Sequence, residues 1–213
     1  MKILAATVGE FQENTYLVID EATRRAVLVD PGAEPDRVVK WIRASGATLD
    51  AIWLTHAHLD HVGAVAGVTR EWAVPVHMHP ADRPTLARGP QAAAMYGVAF
   101  EAPSAPDREL AEGDSVSVGD LTFSVMHVPG HAPGHVVFHG NGIVLGGDLL
   151  FAGSIGRTDL AGGDPRAMEE SLARICELDD DLVVYPGHGP ATTIGQERSS
   201  NPFLLGATRS ARG

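Results

Sequence analysis

The sequence predicts an α/β fold in which paired strands and covering helices alternate along one chain. Three observations carry that expectation. Short β-branched runs closed by turn residues recur from "NTYLVID" to "DLVVYPGHG". Between them lie segments with apolar residues at helical spacing, such as "EPDRVVKWIRASG" and "PRAMEESLARICEL". No repeat and no linker-like stretch interrupts the 213 residues, a length that suits a single domain over 1–213.

The elements read in order as follows. "NTYLVID" and "RAVLVDPG" form an early pair of strands. A helix follows, with Val38, Trp41 and Ile42 on one side and Gly46 as its stop. "AIWLTH" is a strand whose unbroken apolar run predicts burial on both faces. "VGAVAGVTREW" reads as one helix presenting Val62, Val65, Ala66 and Trp72, and "PVHMHP" as a short strand. Residues 81–108 are rich in Ala, Pro and Gly, and read as a loop with some helix beside the site. "DSVSVGDLTFSVMHVPG" is a hairpin turning near Gly119-Asp120, and "HVVFHGNGIVLGGDLLF" a second one turning at "GNG". A helix with Met168, Leu172, Ile175 and Cys176 on one stripe precedes the last buried strand, "DLVVYPGHG". The tail "NPFLLGATRSARG" is expected to be poorly ordered at its end.

Composition narrows the function. The formal net charge is −11 and basic residues do not cluster, which argues against a nucleic-acid partner. One cysteine, Cys176, rules out an intramolecular disulfide and reads as helix packing. The N-terminus lacks the pattern of a signal peptide, and no apolar run approaches the roughly 20 residues of a membrane span. The expectation is a cytoplasmic protein that acts on a small-molecule substrate without nucleic acid or membrane; homo-oligomer formation stays open.

"LTHAHLDHVGA" (Leu54–Ala64) sets His56, His58, Asp60 and His61 directly behind the apolar "AIWL". Strand ends are where α/β proteins place ligands. His56 and His58 share a direction only from extended backbone, while Asp60 and His61 fall at the turn into a helix. One ion cannot easily take all four groups from so short a loop. Two adjacent ions can, with His56 and His58 on one and Asp60 and His61 on the other. Three further candidates also follow apolar runs: His131 in "HVPGHAPGH", Asp148 in "IVLGGD" and His188 in "VVYPGH". Imidazole and carboxylate without thiolate suit Zn, Fe or Mn. Of the other histidines, His77, His79, His127, His135 and His139, structural or supporting roles are expected. His127 and His135 flank the His131 loop and can orient ligands by hydrogen bonding.

"THAHLDH", "PGH", "GGD" and "PGHG", in this order, resemble the metallo-β-lactamase superfamily, over nearly the whole chain from "ENTYLV" to "TTIGQERSSNPF". The resemblance implies a four-layer αββα sandwich with a two-metal site, most simply zinc, with iron or manganese as alternatives. By position it implies His56, His58 and His131 on the first metal, Asp60, His61 and His188 on the second, and Asp148 bridging. Two metals lower the pKa of a water toward about 7, polarise a carbonyl and stabilise an oxyanion, so a metal-bound hydroxide can attack an acyl compound. Asp60 can accept a hydrogen bond from that hydroxide. No Ser-His-Asp or Cys-His arrangement is evident.

"GDLLFAGSIGRTDLAGGD" further resembles small glyoxalase II-like hydrolases, which implies thioester hydrolysis of the S-lactoylglutathione type. The chain lacks the C-terminal helical domain with which longer members bind glutathione. Arg157 in this stretch either meets a substrate carboxylate or forms a salt bridge with Asp159 or Asp164. For Phe151, Ile155 and Tyr96 core packing is favoured over walling an acyl pocket. The rival within the superfamily is a persulfide dioxygenase with one iron on His56, His131 and Asp148. A lactonase or weak β-lactamase shares the same chemistry, and outside enzymes a metal-dependent binding protein is the remaining reading.

Overall fold

Four layers follow from where the apolar side chains of two sheets point. The structure is a computed structural model and describes residues 1–205. The first sheet contains β1 (Lys2–Val8), β2 (Glu13–Ile19), β3 (Arg25–Val29), β4 (Thr48–Trp53), β5 (Val76–Met78) and β6 (Arg108–Glu109), neighbours in chain order. β1 to β3 are antiparallel, and β3 to β6 run parallel. Among these strands lie α1 (Pro35–Ser45), α2 (Leu59–Val62), α3 (Val65–Glu71), a 3-10 turn (Pro80–Asp82), α4 (Arg83–Ala87) and α5 (Gly89–Tyr96).

The second half supplies β7 (Ser115–Val118), β8 (Leu121–His127), β9 (Val136–Gly140) and β10 (Ile143–Gly147). A small separate hairpin, β11 (Leu150–Phe151) with β12 (Ser154–Ile155), precedes α6 (Pro165–Ile175), β13 (Val183–Pro186), β14 (Thr192–Thr193) and α7 (Ile194–Ser200). The second sheet is ordered β14-β13-β10-β9-β8-β7, and β10 pairs parallel with β13.

Successive residues of a strand point to opposite faces, and here both faces are buried. Val18, Val27, Trp53, Phe123, Phe138 and Leu145 pack between the sheets. Leu17, Leu28 and Ile52 face α1 and α3 through Val38, Ile42, Val65 and Val68. Val137, Val144 and Val184 face α6 and α7 through Met168, Leu172, Ile175 and Ile194. The continuous apolar run of β4 is thereby explained: Trp53 and Ile52 serve two different layers. Trp53 meets Phe123 edge-on at 5.6 Å and Phe138 at 5.1 Å, which anchors the sheet-on-sheet contact.

Both expected hairpins form. β7 and β8 join at Gly119-Asp120, and β9 and β10 at Asn141-Gly142, whose φ of 51° and 83° are those of the type I′ turn that Asn-Gly favours. The structure corrects the sequence reading in four places. β1 is a strand the residues did not announce, because its half-exposed, Ala-rich pattern carries little β signal. β6 has two residues, too few for any periodicity. The helix expected over "VGAVAGVTREW" is confined to α3, Val65–Glu71, and is separate from α2, which ends at Val62. The Ala64 N–H donates to Pro31 O instead of continuing a helical ladder, and Trp72 is already extended. The strand expected to run through "GGDLLF" stops at Gly147, and Leu150–Phe151 belong to the small hairpin. Residues 206–213, where the tail was expected to lose order, lie outside the described residues.

Candidate metal centre

Strand ends of both sheets bring the seven predicted residues together. His56 and His58 follow β4, and Asp60 and His61 sit on α2. His131 follows β8, Asp148 follows β10, and His188 follows β13. One ligand atom each from His56, His58 and His131 lie within 4.8 Å of one another, and the same holds for Asp60, His61 and His188. Asp148 stands between the two groups. Its Oδ2 is 3.4 Å from His131 Nε2 and 3.5 Å from His188 Nε2, and its Oδ1 is 3.4 Å from His61 Nε2. His188 Nε2 is also 3.4 Å from Asp60 Oδ2, and His58 Nδ1 lies 2.8 Å from His131 Nε2.

Surrounding hydrogen bonds aim the rings. Thr55 Oγ1 gives its hydrogen to Asp30 Oδ2 at 2.6 Å, so at 3.0 Å it accepts from His56 Nδ1. Asp30 Oδ2 also accepts from His61 Nδ1 at 3.1 Å, and Arg157 O accepts from His131 Nδ1 at 2.7 Å. Each of these three rings therefore turns its Nε2 inward. His56 Nε2, His61 Nε2 and Asp148 Oδ1 are buried without a hydrogen bond. The 3.4 Å between His61 Nε2 and Asp148 Oδ1 exceeds the ordinary N–H···O range. Buried polar atoms without partners are costly, and three of them converging on one place is what a cation site requires. Asp30, His56 and His61 also group within 4.8 Å. Asp30 reaches His61 through Nδ1, the nitrogen turned away from Asp148, so it stands behind the cluster.

Supporting residues hold the ligand loops in register. Asp82, fully buried, accepts from Ala57 N at 2.8 Å and Gly134 N at 2.6 Å, tying the His56–His58 loop to the His131 loop. His135 Nε2 accepts from Asp148 N at 3.0 Å, so His135 orients a ligand as its position suggested. His127 Nε2 donates to Pro133 O at 2.9 Å in the same loop. Gly147 (φ 48°) brings its strand end so close to the cluster that a Cβ there would sit 2.3 Å from Thr55 Oγ1. Asn14 Nδ2 donates to Gly189 O, and Tyr16 Oη to Pro186 O, fixing the His188 loop. Asp30 and Asp82 went unnoticed in the sequence. For Asp30 the signal was present: "VLVDPG" ends an apolar strand with a carboxylate, as "IVLGGD" does.

Electrostatics divide the cluster. Burial holds His56 well below the usual imidazole range, with neighbouring His61 and His58 adding to the effect. Burial and the nearby His131 push His58 down to about 3. Burial also lowers His131. For His61 burial works the other way from the outcome: Asp148, Asp30 and Asp60 outweigh it and raise the ring well above its ordinary value. Burial alone would raise the Asp148 carboxyl, but His61, His131 and His188 outweigh it and bring it far down. The first group is thus a set of neutral donors, and the second is rich in charge.

A cavity of about 590 Å³ opens onto this cluster. His58, Asp60, His131, Asp148 and His188 line its polar end, and Phe11, Met95, Tyr96, Phe151, Ile155 and Leu160 its apolar walls. Phe151, Ile155 and Tyr96, which the sequence assigned to core packing first, line this cavity instead. Arg157 also lines the cavity, but its Nε and Nη2 are forked on Asp159 at 2.6 and 2.8 Å. Asp164 instead caps α6 by accepting from Arg166 N and Ala167 N.

Known proteins place this arrangement. The hydroxyacylglutathione hydrolase GloC of Haemophilus influenzae is 36% identical over 209 residues, covering 96% of this chain and 98% of that one. The crystal structure of TTHA1623 in a di-iron-bound form superposes with a TM-score of 0.88 at 45% identity, over 94% of this chain and 100% of that one. The BLEG-1 B3 metallo-beta-lactamase superposes equally well, TM-score 0.88 at 38% identity, over 95% and 99% of the two chains. The family model of the metallo-beta-lactamase superfamily matches residues 8–188, a span that begins before β2 and ends on His188. With its two helix-covered sheets and the histidine–aspartate cluster at their edge, the chain belongs to the metallo-beta-lactamase superfamily and is a metal-dependent hydrolase of that fold.

Proposed function

We propose that the protein hydrolyses thioesters of the S-lactoylglutathione type, using two divalent ions. His56, His58 and His131 would hold one ion, Asp60, His61 and His188 the other, and Asp148 both. The observation that carries this reading is the cavity, which joins a nitrogen- and oxygen-only cluster to apolar walls that suit an acyl chain. Similarity to the Haemophilus influenzae hydroxyacylglutathione hydrolase along nearly the full length of both chains supports the substrate class. The donor set fits zinc, iron or manganese. Such ions, when bound, lower the pKa of a water and polarise a carbonyl.

The chain's own residues do the rest. Asp60, on the cavity surface, accepts a hydrogen bond from the attacking water and orients it toward the carbonyl. Phe151 and Ile155 exclude bulk water from the acyl side. His56, His58 and His131 are already held neutral and need lose no proton to serve as donors. His61 is different, because Asp148, Asp30 and Asp60 raise its pKa well above the ordinary imidazole value and so favour a proton on the ring. Cation uptake must displace that proton. The expected result is net proton release on titrating metal into metal-stripped protein near pH 7, and weaker uptake as the pH falls. Calorimetry in two buffers of different ionisation enthalpy reads this directly. Uptake without proton release would contradict the assignment of His61.

A panel on metal-loaded protein tests the substrate. Thioester hydrolysis is expected to exceed hydrolysis of a lactone or a β-lactam, and glutathione persulfide is expected to drive little oxygen uptake. Oxygen consumption faster than thioester hydrolysis would move the assignment to the dioxygenase.

A further inference from the structure

The cavity contains a cation that the cluster does not use. Two arginines line it, Arg88 and Arg157. Arg157 already has an acidic partner, its Nε and Nη2 being forked on Asp159. Arg88 is exposed and has no ion pair to an acidic side chain among the described residues. Its Nη2 makes two long contacts to neutral acceptors, Thr85 Oγ1 at 3.5 Å and Ala161 O at 3.4 Å. Both lie beyond the usual N–H···O distance. The carboxylate whose ionisation Arg88 favours, Asp82, is buried and spent on two backbone N–H groups.

The position of Arg88 is as telling as its lack of a partner. It sits at the junction of α4 and α5, and reaches across to the loop that also carries Leu160 and Ala161. It thus lines the cavity beside Leu160 and Ala161 and makes no contact with the cluster residues among its hydrogen bonds. The protein carries a net charge of −11, so an anionic substrate entering this cavity needs a local positive group. A guanidinium with weak neutral contacts can exchange them for a two-pronged bond to a carboxylate. Arg157 would first have to give up Asp159.

We infer that Arg88 recognises the carboxylate of an anionic thiol portion of the substrate, and so sets the preference for charged over neutral thioesters. This rests on the thioester reading above. A purely structural Arg88, bridging α4 to Ala161, would affect charged and neutral ligands alike, and the test separates the two roles.

Binding of S-hexylglutathione and of its diethyl ester is measured by calorimetry on the metal-loaded protein and on its Arg88→Gln, Arg88→Lys and Arg157→Gln variants. In Arg88→Gln, S-hexylglutathione is expected to bind about tenfold more weakly while the diester changes by less than about twofold. Arg88→Lys restores part of the loss, and Arg157→Gln leaves the ratio of the two affinities near wild type. In hydrolysis, Arg88→Gln raises KM for S-lactoylglutathione about tenfold at similar kcat, and leaves neutral S-lactoyl-N-acetylcysteamine unchanged. Equal losses on both probes, no loss on either, no binding of S-hexylglutathione to the wild type, or discrimination lost only in Arg157→Gln would each overturn the assignment. Wild-type protein that binds S-hexylglutathione but hydrolyses neither thioester would sink the thioester reading, while the two affinities still decide the role of Arg88.

Discussion

Asp148→Ala is expected to lose bound metal and to lower hydrolysis roughly a thousandfold or more, about 4 kcal/mol of transition-state stabilisation. Asp148 is the one residue whose oxygens approach His131, His61 and His188 together. Removing any one of those histidines leaves Asp148 and two other donors in its group. Removing Asp148 would strip a donor from both groups at once and, on the two-ion proposal, would take away the carboxylate between the two sites. The loss should therefore exceed that of His58→Ala or His188→Ala. Elemental analysis beside kcat/KM measures both parts. Asp148→Ala with metal content and activity near wild type would refute the bridging role.

The second large effect belongs to Asp30, which touches no substrate. It is 2% exposed and accepts from Thr55 N at 2.7 Å, Thr55 Oγ1 at 2.6 Å and His61 Nδ1 at 3.1 Å. Asp30→Ala leaves three buried donors without an acceptor, each costing about 1–3 kcal/mol. It also frees the Thr55 hydroxyl that fixes the tautomer of His56. The expected outcome is roughly 3 kcal/mol of lost stability, a Tm lower by about 6–12 °C for a chain of this size, and metal affinity weaker by about 10- to 100-fold. Asp30→Asn, which keeps one acceptor oxygen, should fall between. Calorimetric melting with and without added metal reads both losses. An unchanged Tm in Asp30→Ala would mean that these donors find other partners.

Much of the fold was legible because its local rules are strong. The alternation in β7 and β8, the Asn141-Gly142 turn, and the helical stripe of Met168, Leu172 and Ile175 each follow from side-chain period and turn chemistry alone. What escaped depends on neighbours. β1 is a strand because β2 supplies its ladder, not because of its own residues. The break between α2 and α3 comes from a hydrogen bond to Pro31, about thirty residues upstream in the chain.

The site divides the same way. The sequence by itself marked seven candidate donors, five histidines and two aspartates in the turns behind apolar runs, with no thiolate among them. Strand ends are local features, so residue type and position sufficed. Only the tertiary structure decided which atoms face inward and which cations are free. Asp30 supports the cluster because β3 and β4 lie side by side, and Asp82 because the turn carrying it meets two loops at once. Arg157 is taken by Asp159 two residues away, and Arg88, silent in the sequence, makes no ion pair with an acidic side chain among the described residues. Hydrogen-bond partners and charge pairing act over a few ångströms of space rather than along the chain, which is why that half of the site could be read only from the folded molecule.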